Sequence, residues 1–212
     1  MYRWLPPLLV LVSGCPSKSK AHTVDLDLIR VSPEARLRTD IVGDGQWEKS
    51  QAFVLVDAEN TSNEDCYITL AGDLTDDSGK VIGALKPQSL WTPAHDSRTF
   101  ALIDADRQPR PGATSARIKV RGALVDLPPP AHVEDIHVFF EADKTVVQGT
   151  VVNHADGWGK IIVIGSFHDA SGKPTKRPFD VIDVGPKARR NISFVGPAGM
   201  KRATLFVGDS VY

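Results

Sequence analysis

Apolar and polar residues alternate along much of the chain with the period of two that marks a strand with one buried face. Residues 23–28 read Thr-Val-Asp-Leu-Asp-Leu and residues 116–121 read Ala-Arg-Ile-Lys-Val-Arg, so both predict strands. Residues 52–59 predict another. Residues 32–50, with Pro33, Gly43 and Gly45, read as a loop with one short strand around residues 37–41. Further on, residues 136–140, the counterpart of 24–28, and residues 202–207 predict strands. No stretch keeps a helical period of useful length.

The pattern also repeats. Val54, Asn60, Ile68, Gly72, Asp76, Ser78, Gly79, Lys80 and Pro93 each meet the same residue 93 positions later, at Val147, Asn153, Ile161, Gly165, Asp169, Ser171, Gly172, Lys173 and Pro186. Identities at one fixed offset indicate a tandem duplication. Asp76-Asp77-Ser78-Gly79-Lys80 and Asp169-Ala170-Ser171-Gly172-Lys173 have the composition of hairpin turns: Gly supplies positive φ, while Asp and Ser bond back to the backbone. Asn60 and Asn153 are expected to end the preceding strands, where Asn tolerates left-handed backbone and caps a turn. Between the copies, Pro128-Pro129-Pro130 removes backbone donors and favours extended geometry, which predicts a stiff linker. Short strands separated by turn residues predict two antiparallel sandwiches.

The start of the chain departs from this pattern. Arg3 is followed by an uncharged, mostly apolar run over residues 4–12 and then by Ser13-Gly14-Cys15, the layout of a secretory signal. The run stops at Lys18 and contains Pro6-Pro7, whereas a spanning helix needs about 20 apolar residues. Val12-Ser13-Gly14-Cys15 resembles the lipobox of bacterial lipoproteins. That resemblance implies cleavage before Cys15, lipidation of its thiol and membrane attachment through the lipid, since two or more acyl chains anchor a protein stably. Residues 16–21 then read as a polar tether, and Pro16 after the cysteine implies, by the same analogy, the outer membrane. The expected location is a bacterial cell envelope, with the globular part periplasmic or surface-exposed. The expected organisation is a signal peptide at 1–14, lipidated cysteine and tether at 15–22, a first β-sandwich at 23–127, a Pro-rich linker at 128–132 and a second β-sandwich at 133–212.

Gly149-Thr150-Val151-Val152-Asn153, the run from Ile161 through Phe167-His168-Asp169 to Gly172, and Val184-Gly185-Pro186 followed by Ile192-Ser193-Phe194 resemble the FxLYD-type domain of bacterial envelope proteins. The first copy shows the pattern through Asn60, Leu70, Asp76, Gly79 and Pro93. The resemblance implies immunoglobulin-like β-sandwiches without established catalytic residues. The family's tyrosine before the aspartate is Thr75 in one copy and His168 in the other.

Charge narrows the choice of partners. Residues 16–127 hold 14 basic and 17 acidic side chains, and residues 128–212 hold 10 and 9, so neither half has the basic field that nucleic acid requires. Envelope proteins are the expected partners. With Cys15 lipidated, Cys66 has no disulfide partner and reads as a buried small hydrophobe, the alternative being a thiol for an external partner.

Searches for chemistry return little. Gly72 to Gly79-Lys80 and its repeat are spaced wrongly for a phosphate loop, and Asp73, Asp76 and Asp77 lack the closing glutamate of a calcium loop. The histidines at 22, 95, 132, 137, 154 and 168 show no His-x-His or Glu-x-x-His spacing, and His132 and His137, five apart, are expected on opposite faces of a strand. The sequence therefore predicts no catalytic residues, metal or cofactor. Lys173, Lys176, Arg177, Lys187, Arg189 and Arg190 form two basic loops that could meet at one end of the second domain. The leading expectation is a non-catalytic binding or accessory module. The alternatives are an envelope spacer, or a divergent small-ligand carrier or enzyme.

Overall fold

The computed structural model describes residues 21–42 and 49–211. Its strands are β1 (Ile29–Val31), β2 (Arg36–Val42), β3 (Lys49–Asn60), β4 (Cys66–Thr75), β5 (Val81–Thr92), β6 (Ser97–Ile103), β7 (Ser115–Leu124), β8 (Ala131–Phe140), β9 (Lys144–Asn153), β10 (Gly159–His168), β11 (Pro174–Lys176), β12 (Phe179–Val184), β13 (Arg189–Pro197) and β14 (Arg202–Val211). Every pairing between them is antiparallel.

Two sheets form the first unit. In one, β3 carries β6 on one edge and β2 and β1 in succession on the other; in the second, β4 lies between β5 and β7. The second unit repeats the plan, with β9 between β8 and β13, and β10 between β14 and the pair β11 and β12. The chain is thus all-β, a tandem of immunoglobulin-like sandwiches. β4 and β10 stand 93 residues apart, matching the sequence repeat. β5 is continuous, but its counterpart breaks into β11 and β12 around Pro178, which has no amide to give the ladder. The Pro178 carbonyl still accepts from Gly165 N at 3.0 Å.

Each sandwich closes on its own apolar side chains. Val54, Val56, Ile68, Leu70, Leu74, Phe100 and Leu102 fill the first, and Val147, Val151, Ile161, Val163, Phe167 and Leu205 the second. Each such side chain taken from water is worth about 1.5–3 kcal/mol.

The duplicated turns match bond for bond. Asp76 Oδ1 accepts from Ser78 N, Ser78 Oγ and Lys80 N, and Asp169 Oδ1 from Ser171 N, Ser171 Oγ and Lys173 N. Gly79 and Gly172 have φ of 80° and 84°, where a Cβ would be strained. The two asparagines end β3 and β9 and cap the turns that follow, as expected, but without left-handed backbone. Neither is among the described residues with positive φ, and both side chains are buried. Asn60 Nδ2 donates to the carbonyls of Glu64 and Thr92 at 2.7 and 3.2 Å while Oδ1 accepts from Ser62. Asn153 Nδ2 does the same for Gly157 and Gly185, and its Oδ1 accepts from Ala155 N.

Three further expectations are corrected. Residues 23–28 are not a strand: Thr23 makes one isolated bridge to Leu124, and Leu26–Leu28 form a 3-10 turn. Asp25 starts that turn by accepting Asp27 N, so the local cap overrides the alternation. The linker ends earlier than expected, because Ala131 and His132, assigned to it from the sequence, already pair with Asn153 and Val152. Finally, β8 contains a bulge between Glu134 and His137, with Asp135 at φ 53°. The extra residue shifts the phase of alternation. His132, Glu134 and His137 therefore lie opposite Val152, Thr150 and Gln148 on one face, not on opposite faces.

Candidate functional site

The two sandwiches share a packed seam. The outer face of β3 and β6 meets the outer face of β10 and β14, and Ile162, Ile164 and Phe206 of the second unit pack into the first unit's apolar cluster. Leu55 on β3 is 2% exposed although it points away from its own core. The Arg98 guanidinium lies over the Phe206 ring at 4.9 Å.

A polar network crosses the seam and reaches solvent at Arg202. Asp57 on β3 receives Thr99 Oγ1 at 2.6 Å, His168 Nε2 at 2.9 Å and Arg202 Nη2 at 2.7 Å. Ser166 Oγ donates to Thr99 Oγ1 at 2.6 Å, so the hydroxyls form a relay running from β10 through β6 to β3. Thr99, Ser166 and His168 are buried. Burial alone would raise the Asp57 carboxyl; the hydrogen bond and charge of His168, the Thr99 hydrogen bond and the Arg202 charge outweigh it and hold the group below its ordinary 3.8. Arg177 Nε donates to the Thr99 carbonyl at 2.6 Å while its Nη2 is buried without a hydrogen bond, and burial pushes this guanidinium down to about 10. Arg38 adds a bond to the Thr175 carbonyl at 2.8 Å.

A hydroxyl, an imidazole and a carboxylate together invite comparison with a nucleophilic triad, in which the imidazole bridges the other two through its two nitrogens. The geometry differs. His168 Nε2 faces both Asp57 and Thr99, and Nδ1 is buried without a partner. The network fastens two domains.

The equivalent outer face of the second unit, on β8, β9 and β13, is open to solvent. Across it run rows of facing residues: His132, Val152 and Arg189; Glu134, Thr150 and Asn191; His137, Gln148 and Ser193; and Phe139, Val146 and Val195. Val152 is buried beneath its neighbours, while Phe139 and Val195 are 46% and 51% exposed. Hydrogen bonds from His132 first, then from Arg189, hold the Glu134 carboxyl below the usual range. His154, just beyond β9, is placed beside His132 by its amide bond to the Pro130 carbonyl, and the two imidazoles stack at 4.6 Å.

The basic residues singled out in the sequence do not converge. Lys173, Lys176 and Arg177 lie around the end of β10, where Lys176 pairs with Phe167, whereas Lys187, Arg189 and Arg190 lie near its first residue, Gly159, which pairs with Val184. The rise from Gly159 to Phe167, about 26 Å of strand, separates the groups. Lys187 pairs with Asp156, Arg189 with Glu134 and Asp135, and Arg190 donates to the Asp183 carbonyl. Cys15 lies outside the described residues. No helix among the described residues is long and apolar enough to cross a membrane.

Cys66 is fully buried at the start of β4, and burial, with Asp65 and Glu64 adding to it, pushes its thiol up to about 11. A thiol so placed carries almost no thiolate at neutral pH. In native protein, Cys66 is expected to resist a maleimide for hours and to react within minutes in urea, as read by mass spectrometry of its peptide. Rapid native labelling would instead make it an accessible thiol.

No protein-family model matches the chain, and no curated protein matches it. Among solved structures, the N-terminal CBM22-1–CBM22-2 tandem domain of Paenibacillus barcinonensis Xyn10C aligns over 89% of this chain and 88% of its own, with 8% identity and a TM-score of 0.15. A likeness of that size carries no argument about function.

Proposed function

We propose that the chain is a non-catalytic accessory lipoprotein of a bacterial envelope, anchored through a lipid on Cys15, whose second sandwich presents the β8–β9–β13 face to another envelope protein. One observation carries the reading. The corresponding face of the first unit is covered by a neighbouring sandwich, whereas on the second unit the same face is uncovered and sets Phe139 and Val195 beside polar rows. Exposed aromatic and apolar side chains next to hydrogen-bonding groups are the composition of a protein contact surface. Support for the anchor comes from Val12-Ser13-Gly14-Cys15 following an apolar run.

Two measurements test the two parts. Labelled palmitate should enter the wild-type chain and not C15S, and C15S should move to the soluble fraction; equal partition of both would remove the anchor. A photo-crosslinking residue at Phe139 or Gln148, used in intact cells, should trap one protein, while the same residue at Lys119 on the opposite face of the pair should trap none. The fixed seam also suits a spacer holding a constant distance. That reading gains if neither position yields a crosslink while the anchored protein still accumulates.

A further inference from the structure

We propose that His132, Glu134 and His154 form a binding site for a single divalent transition metal of the zinc type. The three residues each offer one ligand atom, and these atoms lie within 4.8 Å of one another. Two imidazoles and a carboxylate suit a borderline cation better than calcium or magnesium, which prefer oxygen throughout.

The fold builds the group from three separate features. His132 and Glu134 are two apart on β8 and so share a face. The β8–β9 ladder continues as His154 N donates to the Pro130 carbonyl at 2.9 Å, which brings His154 to the same corner. Glu134 is then held at both oxygens: Oε1 lies 2.9 Å from His132 Nε2, and Oε2 accepts Arg189 Nη1 at 2.8 Å. Arg189 thus orients the carboxylate from behind and leaves Oε1 facing the imidazoles, the supporting role that outer-shell partners play around metal ligands. The other nearby cation, Lys187, is already engaged by Asp156 at 3.0 Å and by the His154 carbonyl at 2.6 Å.

One rearrangement is required. Ligands on a tetrahedral ion with bonds of about 2.1 Å sit roughly 3.4 Å apart, so the widest pair must close by about 1.4 Å. The rings are also nearly parallel, with 11° between their planes, and parallel rings cannot both direct a lone pair at one ion. Both histidines are exposed, so turning one ring off the stack displaces nothing in the core. Three protein ligands leave a fourth position open to water or to a side chain from another molecule.

The test uses the full chain in detergent micelles, with Zn2+ titrated against a chromophoric chelator and Co2+ as a spectroscopic probe. The expected result is one equivalent of Zn2+ bound, and a Co2+ spectrum with ligand-field bands but no thiolate charge transfer. H132Q and H154Q should each weaken Zn2+ binding at least 10-fold, and R189Q, which removes the support behind Glu134 but no ligand atom, by about 10-fold. Absence of stoichiometric binding overturns the site, as does binding unchanged in the H132Q/H154Q double variant. A thiolate band would place the metal on cysteine and overturn it as well.

Discussion

Replacing Asp57 by alanine is expected to destabilise the whole chain by about 3–5 kcal/mol, the usual cost of removing one partner from a buried charged network. Thr99, His168 and Arg202 all direct hydrogen bonds at this carboxylate, and His168 is fully buried. Without it, a buried imidazole and the hydroxyl of Thr99 lose their acceptor at once. Because the network joins the units, calorimetry should show a single wild-type transition divided into two in D57A. A D57A chain that melts in one transition within about 1 kcal/mol of the wild type would show that the apolar contacts alone hold the seam. The pH dependence has a definite sign. The folded carboxyl lies below its ordinary 3.8, so its contribution is fully present above that value and is lost as the pH falls through the depressed value. This acid loss should be absent from D57A.

Asn60→Ala is the next largest expected loss, about 3 kcal/mol, because it strips partners from several buried backbone groups at 1–3 kcal/mol each. The Glu64 and Thr92 carbonyls lose a donor and the Ser62 amide an acceptor. Asn60→Asp is expected to be no better, since it keeps the acceptor but turns a negative charge toward two carbonyls. Asn153→Ala should behave alike, given the matching bonds to Gly157, Gly185 and Ala155. Urea unfolding measures all three variants; a loss below about 1 kcal/mol for Asn60→Ala would mean that water replaces the side chain.

These repeated features were legible because turn chemistry is local. Asp76, Ser78 and Gly79 specify their loop through neighbours within four residues, and the copy at 169–172 confirms the reading. The seam depends on contacts 67 to 145 residues apart, from Ser166 with Thr99 to Arg202 with Asp57, and no spacing rule reports them. One signal was nonetheless present. Ile161-Ile162-Val163-Ile164 is apolar on both faces, the mark of a strand covered on both sides, whereas Thr69 interrupts the matching stretch of β4, Ile68-Thr69-Leu70-Ala71. The His132, Glu134 and His154 group stayed hidden for another reason: a bulge at Asp135 breaks the alternation, and a ladder pairing sets where His154 falls.

The seam joins unlike faces of like units, and such a heterologous contact closes on nothing: a third copy added to either end would lengthen the row toward a filament. The exposed ends are made unfit for it. Where the second unit uses Ile162, Ile164 and Ser166, the first has Thr69, Ala71 and Asp73, with Lys119 beside Asp73 at 3.8 Å. At the far end, Thr150 and Asn191 face each other across the ladder where the first unit has Asp57 and Thr99, flanked by the charged pair of Glu134 and Arg189. Both extremities lack the side chains that build this seam, as the capping repeats of an array do, so a third sandwich has no matching face on which to extend this particular contact.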